Sequence, residues 1–192
     1  MNYQHLNTSL IGAAVLLLAG CANFPHGGHA AHHSGPSARA DLLATRGNTT
    51  SGKVMFHASG SDLMVHARVS GLQPGQEHGF HIHEKGDCSS GDGMSTGGHF
   101  NPTGKPHGAP DAEHHAGDLP ALRADAQGVA DQKFMLTGLT VATGPASVVG
   151  RAVIVHAQAD DYRTQPTGNS GARLACGVIA AHGAPEMPVV TG

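Results

Sequence analysis

The segment Phe80-His81-Ile82-His83 alternates apolar and imidazole side chains. On an extended strand successive side chains point to opposite faces, so Phe80 and Ile82 can enter a core while His81 and His83 share the other face. Two imidazoles at i and i+2 are placed to chelate one metal ion. Alone the pattern is weak, because a polar outer face would also produce it. His156 closes the apolar run Val153-Ile154-Val155 and would emerge on an outer face in the same way. Between these segments three imidazoles recur at intervals of eight residues, His99, His107 and His115, with Asp118 three positions further on. Three neutral nitrogens and one carboxylate suit a closed tetrahedral zinc site. His114 stands beside His115, and spacing does not choose between them. The His-x-His-x-Asp pattern of zinc hydrolases is excluded, because position 85 is Lys.

These donors need a scaffold of short strands. Residues 40–45 and 52–57 flank the turn signal Gly47-Asn48. Residues 62–70 alternate, with Leu63, Val65, Ala67 and Val69 on one face. Residues 78–83 follow the turn Gln73-Pro74-Gly75, and 119–124 joins 129–136 across Gln127-Gly128. Residues 152–156 and 174–180 complete the set. Strands this short with turn chemistry between them predict an all-β antiparallel sandwich or barrel of eight strands. Residues 84–117 and 157–172 carry no strand signal. Loops that long in a compact domain are usually functional, and both adjoin histidines.

Composition agrees. The chain has 16 His against 11 Lys plus Arg and 14 Asp plus Glu, an excess that points to metal. Gly 28 and Pro 11, with charged residues at only 13%, argue for turns rather than a helical bundle. A net charge of −3 gives no footprint for nucleic acid. Residues 10–19 are an apolar run too short to span a bilayer. They end in Leu18-Ala19-Gly20-Cys21, which resembles a bacterial lipoprotein signal, although Met1 to Ser9 lacks Lys and Arg. That reading makes 1–20 a signal peptide, Cys21 the lipidation site and the mature protein exported, periplasmic or attached to the outer membrane. Residues 21–38 are then a His- and Gly-rich tether, with His26, His29, His32 and His33 either a transient metal site or a polar spacer. Residues 184–192 read as a loose tail. Cys88 and Cys176 remain, and an even pair in an oxidising compartment reads as a disulfide.

Four separated motifs, in order, resemble the copper/zinc superoxide dismutase family of the bacterial exported type. They are Gly79-Phe80-His81-Ile82-His83-Glu84-Lys85-Gly86-Asp87-Cys88, Gly98-His99-Phe100-Asn101-Pro102, His115-Ala116-Gly117-Asp118-Leu119 and Gly171-Ala172-Arg173-Leu174-Ala175-Cys176-Gly177-Val178-Ile179. The resemblance implies an eight-stranded Greek-key β-barrel, related to immunoglobulin-like sandwiches, over a domain spanning 39–183. It implies one copper and one zinc per subunit. His81, His83, His99 and His156 would hold copper, and His99, His107, His115 and Asp118 would hold zinc, so that His99 bridges both. It chooses His115 over His114 and leaves His114 facing solvent. Asp160 would join His81 to His107, Cys88 would pair with Cys176, and His78 would brace loops.

The implied activity is disproportionation of superoxide anion to O2 and hydrogen peroxide by copper redox cycling, with proton transfer at His99. Arg173 would attract and orient the anion. Many relatives carry a lysine-rich guiding loop, but here 157–172 holds Asp160, Asp161 and one cation, Arg163. Lys85 and Lys105 are therefore the candidates for steering. The family includes monomers and homodimers. The competing reading is an exported copper/zinc-binding or delivery protein on the same barrel without turnover.

Overall fold

The computed structural model describes residues 35–183. The expected signal peptide, Cys21, the four tether histidines and the tail 184–192 lie outside the described residues. Nine strands are formed among the described residues: β1 Ser37–Ala44, β2 Ser51–Ser59, β3 Asp62–Ser70, β4 Glu77–His78, β5 Phe80–His83, β6 Leu122–Arg123, β7 Ala130–Leu136, β8 Ala152–His156 and β9 Arg173–His182. A 3-10 turn, Met94–Thr96, is the one helical piece among the described residues.

All the strand pairs are antiparallel, and seven strands form one curled sheet in the order β5-β8-β9-β1-β2-β3-β7, with β4 and β6 paired separately. The fold is the all-β Greek-key barrel expected, with β9 returning to lie between β8 and β1. Two expected strands differ in detail. The run 78–83 breaks at Gly79 into β4 and β5, and 119–124 keeps only Leu122–Arg123. The rest of 119–124 makes single bonds instead; Ala124 N donates to Gln76 O, just before β4, and Leu119 N to Phe80 O at the start of β5. β1 begins at Ser37, two residues before the expected domain start, because Ala38 is fully buried in the core.

Strand alternation builds that core. Ala38, Ala40 and Leu42 of β1, Val54 and Phe56 of β2, and Leu63, Val65, Ala67 and Val69 of β3 all face inward. Burying such side chains contributes roughly 1.5–3 kcal/mol for each large one. Phe80 and Ile82 join them from β5, and Val153 and Val155 from β8. The opposite face of β5, β8 and β9 carries His81, His83, Ala152, Ile154 and Cys176, and these are buried too. The long loop 84–121 covers that face. It runs back along β5 twice: Phe100 N donates to Ile82 O at 2.8 Å and Ile82 N to Gly117 O at 2.9 Å. A Cβ on Gly117 would stand 2.2 Å from Ile82 O, so only glycine permits this approach. The Cys88–Cys176 disulfide ties the loop to β9 across 88 residues, with Cα atoms 5.9 Å apart.

Candidate metal centre

β5 presents His81 and His83 on its loop-covered face, two residues apart, with ring centroids separated by 6.3 Å. His156 arrives from β8 just past a register irregularity between Val155 and His156. A bulge of this kind re-aims a side chain, and the His81 and His156 rings are 4.8 Å apart. A surface position was the ordinary expectation for a strand-end histidine, yet His156 is only 4% exposed. His99 pairs with His83 as an isolated bridge, and its ring stacks on His81 at 3.9 Å.

The hydrogen bonds decide which nitrogen of each ring is left over. Carbonyls and the Asp160 carboxylate only accept, so a ring nitrogen facing one of them carries the proton, whereas the Nδ1 atoms that face Asp118 point with it into a second donor group. His81 donates from Nε2 to Asp160 Oδ2 at 2.6 Å. His83 donates from Nδ1 to Gly97 O at 2.9 Å, and His156 from Nδ1 to Gly171 O at 3.2 Å. His99 turns Nδ1 to Asp118 Oδ1 at 2.7 Å. The remaining nitrogens are His81 Nδ1, His83 Nε2, His99 Nε2 and His156 Nε2. All four are buried without a hydrogen-bond partner. One ligand atom from each of these four residues can be chosen so that all lie within 4.8 Å of one another. Leaving a buried polar atom unsatisfied costs about 1–3 kcal/mol, and a shared cation satisfies all four.

A second group meets it at His99. His99, His107, His115 and Asp118 also offer ligand atoms within 4.8 Å of one another. Around the Asp118 carboxylate, His115 Nδ1 lies 3.2 Å from Oδ1 and His107 Nδ1 3.0 Å from Oδ2. The backbone N–H groups of His115 and Gly108 also donate to Oδ2. Asp160 links the two groups, accepting from His107 Nε2 at 2.9 Å on the oxygen not used by His81. The seven expected donors and Asp160 are thus brought together. His114 stays outside the group; it is half-buried rather than solvent-facing, and its Nδ1 donates to His115 O at 2.6 Å.

Electrostatics divide the site. Burial pushes His81 down to about 4, against the opposing pull of Asp160. Burial, then the His81 ring, pushes His156 down to about 3, and burial followed by the Arg173 charge lowers His83 strongly. These rings are neutral near pH 7, the state in which imidazole binds metal. Burial also opposes charge on His107, but Asp118 and Asp160 outweigh it and raise it to about 9. Burial opposes charge on Asp118 as well, yet His107 and His99 hold its carboxyl well below the usual range.

Arg173 pairs with His156 in the β8–β9 register. Its guanidinium donates to Gly93 O at 2.6 Å, Thr96 Oγ1 at 2.7 Å and Gly97 O at 2.9 Å. Gly97 O also accepts from His83, so one carbonyl fixes both groups. These loop acceptors were not expected, and the run Gly91-Asp92-Gly93-Met94-Ser95-Thr96-Gly97 signals only a tight turn. Two other supports were missed. Gln165 clamps the His107 backbone from both sides at 2.8 Å. Gly168, at φ +64°, leaves room for the His107–Asp160 contact, since a Cβ there would lie 1.9 Å from Asp160 Oδ1. His78 braces the site by donating from Nδ1 to His156 O at 2.8 Å. Lys85 is exposed and 4.0 Å from Glu84, and Lys105 is exposed on the loop carrying His107.

A sequence model of the copper/zinc superoxide dismutase family matches residues 50–179. The chain belongs to that family. Among solved structures, a double mutant of a SOD-like protein from Bacillus subtilis is 41% identical, covering 72% of this chain and 94% of its own, with a TM-score of 0.67. The clock protein EA4 is 37% identical, covering 78% of this chain and 96% of its own, with a TM-score of 0.70. A copper/zinc superoxide dismutase fold therefore carries this cluster of histidines. One of these neighbours is described as SOD-like and the other as a clock protein.

Proposed function

We propose that this chain is a superoxide dismutase, with copper held by His81, His83, His99 and His156 and zinc by His99, His107, His115 and Asp118. The observation that carries the reading is the set of four buried, unpartnered imidazole nitrogens sharing His99 with a second four-donor group. All-imidazole donors suit copper, while the carboxylate-containing set suits zinc. Copper would supply one-electron redox cycling, and zinc, which has no redox chemistry, would hold the His99 ring.

The chain's own residues do the rest. Arg173, held by three loop acceptors, places a fixed cation beside His83 and His156, where it attracts a small anion and donates to it. His99 keeps its Nε2 turned into the imidazole group, where that nitrogen can take up a proton and release it to departing peroxide. Asp160 holds the rings of His81 and His107 in one tautomer. Lys85 and Lys105 supply the long-range positive field, in place of a lysine-rich guiding loop. Neutralising both should flatten the salt dependence of the rate, and an unchanged dependence would remove them from steering.

The SOD-like description of one neighbour favours a second reading, a metal-binding or delivery protein without turnover. Metal analysis combined with superoxide-consumption kinetics separates the two. Equimolar copper and zinc with rapid turnover, abolished in His83→Ala, supports the enzyme. Both metals bound without turnover supports the binder. Export and a lipid on Cys21 belong to the same proposal. Mass spectrometry of the mature N-terminus tests them, with a lipidated Cys21 as the expected first residue.

A further inference from the structure

One histidine near the centre has no place in either donor group. His114 lies on the loop 84–121 directly before His115. It lines a cavity of about 310 Å³ together with Thr103, Lys105, Asp118 and Thr137. Asp118 is therefore shared between the wall of this cavity and the second donor group. Because His115 O can only accept, the short contact at 2.6 Å puts the His114 proton on Nδ1. Nε2 then keeps its lone pair, the form that binds a metal ion. Asp111 and Glu113, exposed on the same loop, add negative charge against the single Lys105 in the wall.

We propose that this cavity is the route by which zinc enters and leaves, and that His114 is its transient ligand. The inference rests on the assignment of zinc to His99, His107, His115 and Asp118. The cavity has room for a cation that still keeps part of its hydration shell. An incoming ion exchanges water for His114 Nε2 first, then passes to Asp118 and the buried rings. A way-station of this kind speeds entry and exit by one common factor and leaves the equilibrium untouched. A structural role for His114 would instead change affinity.

Isotope exchange on the zinc-loaded protein tests this. The protein is mixed with an excess of a heavy zinc isotope, and mass spectrometry follows replacement; chelator competition gives the zinc Kd. His114→Gln should slow both entry and exchange clearly below the wild-type rate, with zinc stoichiometry and Kd unchanged. Thr137→Tyr, which narrows the cavity at another lining residue, should slow exchange in the same way. Exchange at the wild-type rate in both variants overturns the route. A weaker Kd in His114→Gln with unaltered entry overturns the way-station in favour of a structural role. If the unsubstituted protein retains no zinc, the assignment beneath the inference fails, and the inference with it.

Discussion

At the scale of single residues, the site depends on which nitrogen each ring has left over. Asp160 fixes that choice for two rings at once, donating nothing and accepting from His81 and His107. Asp160→Asn replaces one acceptor by an N–H donor that faces a ring N–H. Metal affinity should fall by about 10–100-fold, the range for such outer partners, measured by chelator competition for both metals. In the proposed reaction Arg173 would act on the superoxide anion instead. Arg173→Gln should lower the rate of superoxide consumption by about tenfold or more, within the range of electrostatic steering, and leave metal content unchanged. Stopped-flow kinetics at several ionic strengths should show a flatter salt dependence for this variant. A rate equal to wild type would remove Arg173 from the reaction.

At the scale of elements, two loops turn a strand face into a closed site. The face of β5 with His81 and His83 would be a polar exterior if loop 84–121 did not run back along it. Gly117 permits that return, with the Ile82 carbonyl against its Cα. Gly117→Ala forces backbone apart and should lower stability by about 1–3 kcal/mol, as overpacking does, read from denaturant midpoints. Loop 157–172 approaches from the other side and delivers Asp160, with Gly168 clearing the space beside it. Gly168→Ala should therefore reproduce the metal-affinity loss of Asp160→Asn with Asp160 itself intact. Cys88–Cys176 anchors the first loop to β9, three residues beyond Arg173, so the loop that holds the guanidinium and the strand that carries it are covalently tied.

At the scale of the whole molecule, the proposed metals would couple to folding. The buried nitrogens of His81 (Nδ1), His83, His99 and His156 (Nε2) have no hydrogen-bond partner. Chelation of both metals should lower Tm, and addition of zinc alone should restore part of the loss, because a ligand that binds only the folded state stabilises it. Losing the disulfide through Cys88→Ser should cost roughly 4–5 kcal/mol on the entropic account of a loop of this length, compared by calorimetry with the oxidised protein. The strands were legible in the sequence because alternation of Leu63, Val65, Ala67 and Val69 is a local property with period two. The donor set was legible for a similar reason, since His81, His83, His99, His107, His115 and Asp118 stand in recognisable motifs. Spacing by itself left His114 and His115 undecided, and it was silent on Gly97, Thr96 and Gln165. Their roles rest on contacts such as Arg173 to Gly93, 80 residues apart, and Asp160 to His81, 79 apart. The sequence by itself thus determined an antiparallel all-β fold, with the barrel implied by the family resemblance, and the chemical types of the candidate donors, because side-chain identity and strand period are encoded locally. Tertiary structure decided which ring nitrogens are left free and what holds Arg173, because hydrogen bonds between distant loops exist only once the chain has closed.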